Sequence, residues 1–62
     1  MTVTEAVQYL RIAEAHGGVD AIPLGAADML ENLELIMWDI DEEAYDLTAN
    51  GRQWLEQLTK DL

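Results

Sequence analysis

Tyr45-Asp46-Leu47-Thr48-Ala49-Asn50-Gly51-Arg52-Gln53-Trp54-Leu55 is the stretch that decides the fold. Tyr45 and Leu47 point one way and Asp46 the other, the alternation of a short strand. Thr48 is a hydroxyl residue at the entrance to a helical pattern, where its oxygen can accept from a free backbone N–H. Gly51 stands in the first turn of that helix and permits close approach of another backbone. Trp54, Leu55 and Leu58 then recur at helical spacing, with Leu62 extending the stripe. Lys60 in the last turn suits the helix dipole. The spacing predicts a strand over 44–47 running directly into a helix over 49–61.

Working toward the N-terminus, Ile36, Trp38 and Ile40 alternate with Met37 and Asp39, a strand pattern over 36–40. Asp41-Glu42-Glu43 is a polar turn, so the two strands make a hairpin with an acidic tip. Residues 26–35 read as a helix in which Met29, Leu33 and Met37 continue one apolar side, with Leu30 beside them. Asp28, Glu31 and Glu34, spaced by three, form an acidic stripe on another side. Residues 17–25 (GGVDAIPLG) hold three of the four glycines and the single proline. They read as a connection, with Val19, Ile22 and Leu24 tucked onto the core. Thr2-Val3-Thr4-Glu5 has the spacing of a capping box. Val3, Ala6, Val7, Leu10 and Ala13 recur behind it, widened by Tyr9 and Ile12, so a helix is expected over 3–16 with Gly17 in the left-handed position at its end. The order is α-α-β-β-α, a small α+β domain over residues 1–62 with a two-stranded hairpin packed on helices.

The stretch Leu30–Leu58 resembles the C-terminal half of a winged-helix domain. In that family a helix enters a strand through a motif like L-x-x-x-G-L-I, a hairpin (the wing) follows, and the return strand ends in Y-x-L-T-x-x-G-R-x-x-L. Residues 30–36 and 45–55 follow those patterns, with Glu34 in place of the glycine of the first. The resemblance implies a winged-helix-like fold, in which Glu34 carries a backbone cost if it sits at positive φ. It also implies a helix between the first helix and the one before the wing, for which only residues 19–24 are available.

The charge opposes the family's commonest use. Thirteen acids stand against three bases among 62 residues, a net charge of −10. Nucleic-acid affinity rests largely on Lys and Arg displacing counterions from phosphates. Here Arg11, Arg52 and Lys60 are scattered, and five acids fall within residues 39–46. The charge therefore argues against direct nucleic-acid binding by the monomer. Two such chains must also overcome repulsion to form a homodimer, although a dimer would bury more apolar surface.

Composition narrows the chemistry further. There is no cysteine and no serine, which removes disulfides, thiolate metal sites and both common nucleophiles. Asp39-x-Asp41-x-Glu43 begins like a calcium loop, but Ala44 and Asn50 replace the glycine and the bidentate glutamate that such a loop needs. His16 is a lone imidazole at a helix end, so no metal and no cofactor is expected. A chain this short can hardly build a cleft that separates carboxylate pKa values, so no enzyme is expected either. No run approaches a membrane span, the N-terminus does not read as a secretory signal, and the composition fits the cytoplasm.

What remains is a binding surface. Asp28, Glu31 and Glu34, with Asp39, Asp41, Glu42, Glu43 and Asp46, are the candidate contacts to a protein partner with a basic face. Trp38 is a candidate apolar anchor among them. Helical acids three or four residues apart lie about 5–6 Å from each other, near the spacing of phosphates along a DNA strand. The sharper expectation is an inhibitor or modulator of a nucleic-acid-handling protein by charge mimicry, by analogy of size and charge with phage anti-restriction and anti-CRISPR proteins. The alternatives are a winged-helix regulator acting as a dimer and a small structural adaptor using an apolar face near Trp38.

Overall fold

The computed structural model describes residues 1–60. Its elements are α1 (Val3–Glu14), α2 (Leu24–Asn32), β1 (Ile36–Asp39), β2 (Ala44–Leu47) and α3 (Ala49–Thr59), an α+β domain of three helices and one antiparallel hairpin. Ile36 opposes Leu47 and Trp38 opposes Tyr45. Directly opposed residues share a face, and this face meets the helices. α1 packs on β2 and α3, and α2 packs on β1. Among the described residues, Leu10, Ile22, Leu30 and Leu35 are the most deeply buried large side chains, and no polar or charged residue is buried with them. The Tyr45 N–H donates to the Gly17 carbonyl at 2.8 Å, which fastens the α1–α2 connection to the free edge of β2.

Both early helices end the same way. After α1, the His16 N–H donates to Ala13 O and the Gly17 N–H to Ile12 O. After α2, the Glu34 N–H donates to Glu31 O and the Leu35 N–H to Leu30 O. This is the Schellman pattern, with buried Leu30 and Leu35 supplying its apolar contact at α2. The pattern needs a left-handed residue just past the helix. His16 and Glu34 fill it at φ 59° and 61°, where glycine is the usual occupant. The expected cost at Glu34 is therefore present. Glu34→Gly should stabilise the fold by about 1 kcal/mol, because the Cβ penalty of a left-handed residue exceeds the added unfolded-state entropy of glycine. A rise in denaturation midpoint would bear this out, and a fall would show that Glu34 gives more through its side chain than its backbone costs.

The other caps follow the sequence closely. Thr2 Oγ1 accepts from the Glu5 N–H at 3.1 Å, and the Glu5 carboxylate accepts from the Thr2 N–H at 3.2 Å. The bond from the Thr2 backbone, seconded by its hydroxyl, holds the Glu5 carboxyl below the usual carboxylate range. At the start of α3, Thr48 Oγ1 accepts from the Gly51 N–H at 2.9 Å and donates to the Glu34 carbonyl. The Thr48 N–H donates to Leu35 O at 3.2 Å. One threonine thus caps α3 and fastens it to the segment that follows α2. Gly51 makes room for this contact: a Cβ there would fall 1.8 Å from the Leu35 oxygen.

Several expectations are corrected. α1 stops at Glu14 rather than residue 16, and the left-handed residue is His16 rather than Gly17. Gly17 is needed for space instead, since a Cβ there would lie 2.5 Å from Ile12 Cγ2. α2 spans Leu24–Asn32 rather than 26–35, because Pro23 can stand at its N-cap and the chain turns left-handed at Glu34. Residues 19–23 form a turn and no helix, and only Ile22 of the expected trio reaches the core. Val19 and Leu24 are 66% and 76% exposed. β1 ends at Asp39, which leaves Ile40 in the tip and exposed. Met37 lies in β1, not on a helix, and faces solvent. α3 ends at Thr59; residue 61 of the expected helix and Leu62 of its stripe lie outside the described residues.

Candidate protein-binding surfaces

The acids occupy α2, the segment after it and the hairpin. Asp28 and Glu31 lie on the solvent side of α2, because Ala27 and Leu30 take its inner side. Their charge is felt in the hairpin: desolvation raises the Tyr45 phenol above its ordinary pKa, and the Glu31 and Asp28 carboxylates push it the same way. Glu34 is exposed but leaves the helical stripe, since its backbone is already left-handed.

At the tip, Asp39 turns its carboxylate into its own loop. Its Oδ1 accepts from the N–H groups of Asp41 at 2.9 Å and Glu42 at 3.3 Å. Asp39 therefore shapes the tip, while Asp41, Glu42 and Glu43 are exposed. Glu43 returns the chain to β2 at φ 53°. Asp46 is half-buried on the other hairpin face, 3.8 Å from His16 Nδ1. The remaining ion pair among the described residues joins Arg52 to Glu14 at 3.7 Å, away from these acids. Such exposed pairs contribute little. Among the described residues, no cation pairs with Asp28, Glu31, Glu34, Asp41, Glu42 or Glu43. No group of three or more His, Asp or Glu among the described residues is placed to hold a metal ion.

The two tryptophans divide. Trp38 is half-buried and meets the Tyr45 ring edge-on at 4.9 Å, an aromatic pair across the hairpin. Trp54 is 46% exposed. By their spacing, Trp38 on the inner face of the hairpin and Trp54 on the stripe of the last helix both read as core side chains, yet neither is fully buried. Gly51, Leu55 and Leu58 make the inward stripe of α3, at i, i+4 and i+7, and Trp54 sits on its margin.

Trp54 belongs to a surface that pattern reading missed. α1, α2 and α3 leave a groove of about 200 Å³ between them, floored by Leu10, Leu30 and Leu35. Its rim carries Val3, Met29, Leu33 and Trp54, all about half exposed or more. None of its lining side chains is charged. In a chain with 26% charged residues, that gap in the charge pattern is itself a feature. On its far side Trp54 borders a second hollow with Gln53, Gln57 and Leu58.

No family model, curated protein or solved structure matches the chain. Its chemistry is therefore read from its own two surfaces, one acidic and one apolar. No helix among the described residues is long and apolar enough to cross a membrane.

Proposed function

We propose that the protein is a non-enzymatic binding module whose acidic surface docks on a basic face of another protein. The observation that carries this reading is the set of exposed carboxylates on α2 and the hairpin tip that face no cation among the described residues. Unpaired like charges repel within the fold. A partner that supplies cations relieves that repulsion and gains long-range steering as it approaches. Basic faces of this kind are found on proteins that handle nucleic acid, whose grooves are built to neutralise phosphates. The sharper form of the proposal is a modulator that occupies such a groove by charge mimicry, as phage-encoded acidic inhibitors do. Residues 30–58 would form the C-terminal half of a winged-helix-like fold, and the acids on α2 and on the hairpin oppose a DNA-reading use of it.

The test is charge reversal. Glu31, Glu42 and Glu43 are exposed, so changing all three to Lys should leave the far-ultraviolet circular dichroism intact. Wild type immobilised and washed with nuclease-treated lysate should retain a nucleic-acid-binding protein that elutes at moderate salt. The triple variant should bind that same protein at least about a hundredfold more weakly, since like charges juxtaposed in an interface cost several kcal/mol. Equal affinity for both proteins would end the charge-mimicry reading. A partner retained only when nuclease is omitted would point to nucleic acid instead.

A further inference from the structure

We infer that the apolar groove between α1, α2 and α3 is the docking site for a second copy of this chain, with Trp54 of each copy seated in the groove of the other. The occupant follows from four observations. First, knob and hollow lie on one patch: Trp54 stands at the rim of the groove it would fill in a partner. A two-fold interface needs such a self-complementary patch. Second, the sizes agree. The groove holds about 200 Å³, and an apolar cavity of about 150 Å³ accepts a benzene ring. Third, Val3, Met29, Leu33 and Trp54 gather exposed apolar side chains on one rim, a patch on the order of a few hundred Å², comparable to the largest apolar patch of a typical monomer, which is often functional. Fourth, the charge is placed to allow it. Two copies carry −10 each, yet none of the acids on α2, the hairpin or the segment between them lines the groove. Pairing through the groove keeps those acids off the shared surface.

This contact is distinct from the acidic surface of the proposed function and has the opposite response to salt. Added salt screens the repulsion between two acidic chains and strengthens apolar burial. It weakens an acidic–basic complex.

Sedimentation velocity on the full chain, from micromolar to near-millimolar protein at low and high salt, makes the test. The expected result is a species at twice 7.0 kDa that grows with concentration and with added salt. Trp54→Glu should raise the dissociation constant by roughly thirtyfold or more, as loss of a central Trp anchor does. Leu33→Glu, also on the rim and half exposed, should act in the same direction. Circular dichroism of both variants reports that the monomer remains folded. The Glu31, Glu42 and Glu43→Lys protein should still pair. A single species at 7.0 kDa under all conditions would overturn the inference. So would a dimer indifferent to both rim substitutions, or one lost only in the triple-Lys protein. Each of these outcomes leaves the acidic-surface proposal standing or falling on its own partner-binding test.

Discussion

Gly51→Ala should remove most of the fold's stability and bring the chain close to its unfolding midpoint at room temperature. An added Cβ would fall 1.8 Å from the Leu35 carbonyl oxygen and 2.8 Å from its carbon. Both atoms are backbone, so no rotamer change relieves the clash. The same carbonyl accepts from the Thr48 N–H, and the Gly51 N–H donates to Thr48 Oγ1, so withdrawing α3 breaks the cap as well. A cost of about 3 kcal/mol or more is expected, at the upper end for overpacking. A chain with one small core has total stability of only about 3–5 kcal/mol. Gly25→Ala is the companion. Gly25 lies in the first turn of α2 with nothing within 4 Å of an added Cβ. That change should stabilise by up to about 1 kcal/mol through helix propensity. Urea denaturation followed by circular dichroism measures both. A Gly51→Ala midpoint close to wild type would mean that the α3–Leu35 contact is looser than its geometry implies.

The second large effect is expected at Leu30, which is 1% exposed. It supplies the apolar contact of the α2 end with Leu35 and part of the floor of the groove. Leu30→Ala should cost about 2–5 kcal/mol, the range for a buried leucine that leaves a cavity. Leu24→Ala removes the same atoms from a side chain that is largely in solvent, and should change stability by less than about 0.5 kcal/mol. Thermal melts of the pair decide the point. Similar losses from the two leucines would contradict this division between core and surface.

The order of elements was legible because each carries a local signal. Thr2 with Glu5, and Thr48 with Gly51, mark helix starts through hydrogen bonds that span only three residues. The close approach at Gly51 was legible for the same reason, as a glycine where a helix former would be expected. Boundaries were less legible where two residues compete for one job. A left-handed residue was needed after α1, and glycine at 17 is the better candidate by propensity; His16 takes it because Gly17 must also fit against Ile12 and Ala21. The exposure of the acids at positions 28, 31, 34 and 41–43 was legible, since unpaired carboxylates resist burial. Their neighbours were not. Nothing local says that Asp28 and Glu31 lie near the Tyr45 phenol, that Asp39 folds into its own loop, or that Asp46 faces His16. The groove was the least legible feature. It depends on how far apart three helices settle, and periodicity places Trp54, Met29 and Leu33 on apolar sides without saying which sides meet.

The contact at Thr48 closes the hairpin at its neck. Its hydroxyl bonds to a carbonyl 14 positions earlier in the chain, so everything between is a loop pinned at its base. Lengthening a pinned loop is inexpensive, about 0.6 kcal/mol for each doubling. Residues 40–43 lie at the far end of that loop, and none of them belongs to the core. The tip is thus the part of the molecule most open to insertion and sequence drift, while the neck below it tolerates almost none. A lineage of such chains would be expected to diversify at the tip first and so to change the shape it offers a partner without rebuilding the domain that carries it.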